Sequence, residues 1–262
     1  MENSSRSQTL QDSPIVFPSN AFRWPGTVSF ILGAAVLFFV LVIVIGIGWG
    51  VSQHLTALDT ARSLAGMPGV IIQSIAEVIV IAYIVALLPA VAGTSLDGLG
   101  FRRVTAGHVG AIVIAAIAMF AIVTPLASVL QTALPFKTPE EAIAVFMKTS
   151  GWQRAAFAFF GIVLAPLFEE AVFRWTLFNA MRRWWGFWPG AIVSSLLFGL
   201  AHSQPPFTPA MFACISFPLA VGGIILCYVY AKTNNAWTSF LTHGAFNGLS
   251  LVLLILFPQL AK

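Results

Sequence analysis

Long apolar runs separated by short polar stretches organise this chain. The first three cover about Thr27 to Val51, Gly69 to Gly93, and Gly107 to Leu134, the last with Pro125 inside it. A fourth begins near Arg154 and ends at Arg182-Arg183. Three more follow, at about Phe187 to His202, Pro209 to Ala231, and Ala236 to Phe257. An α-helix needs roughly 20 apolar residues to cross a bilayer, so the pattern predicts an all-α, polytopic transmembrane bundle of about seven or eight helices. The linkers after the fifth and sixth runs are very short, which forces neighbours to pack antiparallel. Runs four to seven should therefore form one bundle. The expected organisation is a flexible polar amino-terminal tail over residues 1–24, an accessory transmembrane region over 25–153, and a transmembrane core over 154–258.

Between the third and fourth runs, Thr138-Pro139-Glu140-Glu141 reads as a helix start, with Thr as N-cap, Pro at the first helical position and acids in the first turn. Ala142, Val145 and Phe146 then make a short apolar face, suited equally to the membrane surface or to a packed connector. The first run is too long for a signal-peptide core, and no small-residue cleavage site follows it closely, so it is expected to stay as a span.

Composition strengthens this picture. Charged residues make up 8% of the chain, about a third of the soluble average, too few to cover a water-facing surface. The partner implied first is the lipid bilayer, and the location a membrane crossed several times, the cell membrane if the source is bacterial. The net charge of +4 falls on loops. No basic patch with interleaved aromatics points to nucleic acid. Counting Lys and Arg on alternate sides gathers Arg102, Arg103, Arg182, Arg183 and Lys232 on one side. This favours a cytoplasmic amino terminus, against Lys137, Lys148 and Arg154 opposite. Trp152, Trp175, Trp184, Trp185, Trp188 and Trp237 crowd the ends of runs, as interfacial anchors do. Cys214 and Cys227 share one apolar run, which suits buried free thiols better than a disulfide or metal motif.

Polar groups inside the runs carry the chemical information, because a charge at mid-helix costs about 2.5–3.5 kcal/mol on insertion scales. Such groups survive where they have partners or face a polar cavity. In Glu169-Glu170-Ala171-Val172-Phe173-Arg174, a turn of about 100° per residue splays the two glutamates apart. Glu170 and Arg174, four residues apart, can pair, leaving Glu169 to serve a different partner. His202 closes the fifth run after Phe198-Gly199-Leu200-Ala201. His243 and Asn247 share a face of the seventh, where Gly244 and Ala245 also permit close packing. Each feature alone fits an interfacial or helix-packing role. Together, one carboxylate, two imidazoles and an amide from three antiparallel helices supply a general base, a proton-handling group and oxyanion donors. Glu169, His202 and His243 are also the ligand types of some catalytic zinc sites. Neither His-Glu-x-x-His nor Gly-x-Ser-x-Gly occurs, and Asp12, Asp59 and Asp97 all lie outside the runs.

The series Glu-Glu-x-x-x-Arg, Phe-x-x-x-His and His-x-x-x-Asn, at Glu169-Glu170/Arg174, Phe198/His202 and His243/Asn247, resembles the CAAX protease and bacteriocin-processing family. The eukaryotic members of that family are type II CAAX prenyl endopeptidases. Ser194-Ser195-Leu196-Leu197-Phe198-Gly199 and the stretch from Gly223 to Asn247 add to the likeness, which covers about Ala155 to Leu251. The resemblance implies an intramembrane endopeptidase acting on a membrane-associated protein or peptide. Within it, Glu169 would activate the attacking water, His202 would hold that water and shuttle its proton, and His243 and Asn247 would stabilise the oxyanion. Glu170 and Arg174 would orient Glu169, and Phe198 would pack against the pocket. Members have been described both as metalloproteases and as metal-independent glutamate proteases. Zinc on Glu169, His202 and His243 and a metal-free site therefore both stand open. Asn247, a poor zinc ligand and a good oxyanion donor, leans toward the second. Two alternatives compete: a non-catalytic membrane scaffold or bacteriocin-immunity-type protein on the same fold, and a proton or small-molecule transporter using Glu77 and the histidines. A simple hydrogen bond from Glu77 to a neighbour such as Gln73 is the plainer account of that acid.

Overall fold

A computed structural model describes residue 15 and residues 17–64, 66–134, 149–203 and 207–257. The described residues are helical throughout their regular structure. In chain order they form α1 (Trp24–Ser52), a short α2 (Ala57–Ser63), α3 (Met67–Ala92), a 3-10 turn at Asp97–Leu99, α4 (Ala106–Ala133), α5 (Gly151–Trp185), α6 (Phe187–Ala201), α7 (Pro209–Thr233) and α8 (Ala236–Leu256). Six of these are long and apolar enough to cross a membrane, and α6 is a shorter apolar helix. The protein is thus a multi-pass membrane protein whose seven principal helices follow the seven apolar runs. The helix start expected at Thr138-Pro139-Glu140-Glu141 lies outside the described residues, as does the Gln204-Pro205-Pro206 linker.

Helices α5 to α8 close on one another: α6 packs against α5 and α7, while α8 packs against α7 and α5. Helix α4 backs onto α7 and α8. Helix α3 lies against α5, with α1 outside α3. The order follows from side-chain size. At the α6–α7 seam Gly199 lies so close to the backbone of Ser216 that a Cβ would overlap its carbonyl oxygen. Lipid-facing α1 shows large apolar side chains outward instead, Phe39, Ile43, Ile47 and Val51 among them, which is the expected state where lipid is the solvent.

One end of the bundle is tied together by backbone-directed polar contacts. Asn235 donates to the carbonyls of Arg102 and Arg103, and the Ala236 amide to that of Gly100 at 2.7 Å. The buried Tyr230 hydroxyl accepts from Asn179 at 2.8 Å and donates to Leu99 at 2.7 Å. The basic residues grouped by the loop count meet at this end.

Two expectations need correction. The described part of the amino-terminal segment is docked rather than loose. Phe22 and Ile15 are buried, Arg182 and Arg183 donate to the carbonyls of Ile15 and Ser19, and Trp184 donates to Phe22 at 2.7 Å. The apolar side chains within that polar stretch supply the docking energy. Trp175 is no interfacial anchor: it is buried against Phe101 and Trp237. Trp152, Trp185 and Trp188 are exposed, as anchors should be. Both cysteines are free and buried.

Gly199→Ala should lower unfolding stability by about 1–3 kcal/mol through overpacking of backbone against backbone. Gly48→Ala, where an added Cβ meets nothing within 4 Å, should change it by no more than about 1 kcal/mol. Thermal unfolding in detergent checks both.

Candidate active site

Helix α5 carries the acidic pair between two π-helical segments, Phe160–Leu164 and Ala171–Phe178. The first has a cause in the sequence. The Ala165 amide bonds to the Phe160 carbonyl, five residues back. The next carbonyl in that register, Gly161, would face Pro166, which has no N–H to give. Asn247 of α8 fills the gap, its Nδ2 donating to Gly161 O at 2.8 Å. One turn earlier on α8, Gly244 abuts the same segment, its would-be Cβ only 2.7 Å from the Ile162 carbonyl. Proline, asparagine and glycine thereby lock α8 against α5 beside Glu169.

Behind the site lies a dry ionic cluster. Glu170 and Arg174 are fully buried, with Glu170 Oε1 3.1 Å from Arg174 Nη1, the pair expected from their spacing. The guanidinium sits 4.3 Å above the Phe198 ring, so it is held by charge and by an aromatic face. Phe198 is itself buried and meets the rings of His202, His243 and Phe173 edge-on.

The two glutamates are not divided between separate partners, as their splay on an α-helix suggested. His243 joins them: its Nδ1 lies 3.1 Å from Glu170 Oε1 and its Nε2 3.5 Å from Glu169 Oε2. An imidazole presents its nitrogens in diverging directions, so one ring from α8 can reach both carboxylates. His202, capping α6, places its Nε2 3.5 Å from Glu169 Oε1. Its Nδ1 is 2.8 Å from the Phe198 carbonyl. A carbonyl only accepts, so this nitrogen carries the proton, and His243 Nδ1 is assigned its proton likewise by the Glu170 carboxylate.

Both rings therefore aim Nε2 at opposite oxygens of one carboxylate. The 3.5 Å separations exceed a direct hydrogen bond. Lone pairs facing lone pairs repel unless a proton or a water hydrogen intervenes, so the cluster is built to hold an exchangeable proton. Exposure divides its members: Glu169 and His202 side chains are 19% and 33% exposed, whereas that of His243 is 5%. The first two are partly open at the surface of the bundle, and the support behind them is enclosed. Helix α6, at 15 residues, rises about 22 Å and falls short of a roughly 30 Å hydrocarbon layer.

Zinc chemistry would suit two imidazole nitrogens and a carboxylate, each ring fixed through Nδ1. As arranged, Glu169 divides its oxygens between the two rings. Among the described residues no three His, Cys, Asp or Glu side chains form a group able to hold a metal ion.

Glu77, on α3, is buried and accepts from Gln73 at 2.9 Å, the neighbour the sequence suggested. Asn179 and Tyr230, joined by a buried hydrogen bond, belong to none of the sequence motifs. An asparagine within the fourth apolar run was their available signal.

Residues 151–249 match a family model described as type II CAAX prenyl endopeptidase Rce1-like. The membrane-embedded CAAX protease MroQ of Staphylococcus aureus (strain USA300) is 33% identical over 112 residues, 40% of this chain and 42% of that protein. An uncharacterized 24.3 kDa protein of Escherichia coli is 50% identical over 44 residues, 16% of this chain and 20% of that one. The chain thus matches less than half the length of either relative. No solved structure matches it.

Removing Arg174 alone should leave a buried carboxylate uncompensated. Arg174→Met is expected to cost about 3–5 kcal/mol. Arg174→Met combined with Glu170→Gln should recover much of that loss, because the amide oxygen still accepts from His243. Unfolding of the two variants side by side measures the difference.

Proposed function

We propose that this chain, whose residues 151–249 match the type II CAAX prenyl endopeptidase model, is an intramembrane endopeptidase. It hydrolyses a peptide bond near the membrane-proximal or membrane-embedded carboxyl end of a protein or peptide substrate. One observation carries the proposal: Glu169, a partly exposed carboxylate, lies between the Nε2 atoms of two imidazoles whose Nδ1 atoms are anchored.

Glu169 takes a proton from a water seated against it and His202, and that water attacks the scissile carbonyl. His202 Nε2 lies beside Glu169 and can receive the proton and pass it to the leaving amine, the two-way transfer that peptide hydrolysis requires. His243, buried between the two glutamates, supports Glu169 and faces the developing oxyanion through Nε2, which stabilises that charge once this nitrogen also carries a proton and presents an N–H rather than a lone pair. Asn247 spends one amide N–H on Gly161 and has a second for that oxyanion. Glu170, Arg174 and Phe198 hold these groups in place. Residues 154–258 form the catalytic core, and α1 to α4 support it and admit substrate.

Glu169→Ala should reduce cleavage by about 10²–10⁴-fold, the usual worth of a general base, while leaving the protein folded in the membrane. Adding His202→Ala should lower activity little further, because the two act as a unit. The assay compares carboxyl-terminal fragments released from membrane-anchored peptides by wild type and variant, using mass spectrometry. Undiminished turnover by Glu169→Ala would refute the mechanism, and full biological function after loss of both His202 and His243 would favour a non-catalytic scaffold. Cleavage should also survive stripping of divalent metals with a chelator. Loss of activity restored by zinc would replace the metal-free version.

A further inference from the structure

Away from the candidate active site, two cavities adjoin at the basic end of the bundle. The larger, about 530 Å³, lies between α4 and α7 and is lined along its length by apolar side chains. The smaller, about 310 Å³, is polar and lies at the amino-terminal end of α4, where Thr105, Gly107 and His108 line it. Lys232 and Thr233 line both, so a single amphipathic molecule can occupy the two together.

The dimensions suit a lipid. The α4 residues of the apolar cavity run from Ala111 to Ile122, a rise of about 16 Å and so close to one leaflet of a roughly 30 Å hydrocarbon layer. Exposed Trp188 and Tyr228 flank its outer end, where amphipathic rings mark the interface. No carboxylate lines either cavity. Lys232 Nζ rests 5.6 Å from the Tyr228 ring centroid. Among the described residues it has no acidic side chain within ion-pair distance. The amino terminus of α4, a 28-residue helix, adds its partial positive charge at the same point.

We propose that this groove is a binding site for an anionic phospholipid, with one acyl chain along the α4–α7 seam and the headgroup phosphate at Lys232 and the first turn of α4. Positive residues gather at the cytoplasmic ends of membrane proteins, and the cytoplasmic leaflet is where anionic headgroups meet basic pockets between helices. The site is independent of proteolysis, and its test does not read activity.

Full-length protein is reconstituted in phosphatidylcholine vesicles containing a minor fraction of either phosphatidylglycerol or phosphatidylcholine with brominated acyl chains. Tryptophan quenching at Trp188 is isolated as the difference between wild type and Trp188→Phe. Brominated phosphatidylglycerol should occupy the site about fivefold more than its zwitterionic counterpart, the effect of one basic residue at the surface. Lys232→Gln should abolish that preference, and Ala118→Phe, which fills the groove, should lower quenching by both lipids. Equal quenching by the two lipids in wild type, a preference that survives Lys232→Gln, or quenching untouched by Ala118→Phe would overturn the proposal. So would release of the brominated lipid by inorganic phosphate alone, which would mark a free-anion site.

Discussion

Hydrocarbon offers no hydrogen bonds, so a polar group inside the membrane must find its partner within the chain. The Glu170–Arg174–His243 cluster depends on that constraint. One oxygen of its carboxylate, Glu170 Oε1, meets both a cation from its own helix and an imidazole from α8. The Phe198 ring from α6 closes over the guanidinium. Three helices are bound by one desolvated charge, and none can shift without leaving it exposed to lipid. Glu169, one residue earlier, inherits that rigidity while staying partly exposed.

The same constraint acts on the backbone. Pro166 deprives the π turn of a donor, and Asn247 from α8 replaces it. A defect in one helix becomes a specific attachment for another, and it sits beside the reacting carboxylate. Such π turns recur at functional sites for this reason: they free a backbone group and change the direction of the residues that follow. Here two of them bracket Glu169-Glu170.

Much of this was legible in the sequence, because the relevant signals are local. The apolar runs located α1, α3 and α4 to α8 within a few residues. The spacing of Glu170 and Arg174 foretold their pair, and Gln73 was named as the partner of Glu77. The less legible features depend on two segments meeting. Regular α-helical phasing separates Glu169 from Glu170, and nothing in that phasing says that one ring from α8 will touch both. Asn247 looked like a free amide because its acceptor exists only once Pro166 has disrupted α5. The docking of the polar amino-terminal segment likewise depends on donors from far along the chain, Arg182, Arg183 and Trp184, which meet its backbone carbonyls.

The arrangement of charge across the molecule separates chemistry from anchoring. At the basic end, polar side chains are spent mainly on backbone carbonyls: Asn235 on Arg102 and Arg103, Tyr230 on Leu99, Arg182 on Ile15. These contacts fix loops. At Glu169 the pattern reverses. Only the Nδ1 atoms are committed, while both Nε2 atoms and both carboxylate oxygens stand at separations too long for direct bonds. An anchoring site gains nothing from such gaps, since each loosely paired polar group inside a membrane carries a desolvation cost. A site that must admit a water and a carbonyl needs that unfilled capacity. The cost is offset in part because the fully buried charges behind it are of opposite sign and 3.1 Å apart, although Glu170 Oε2 and the guanidinium nitrogens have no hydrogen-bond partner among the described residues.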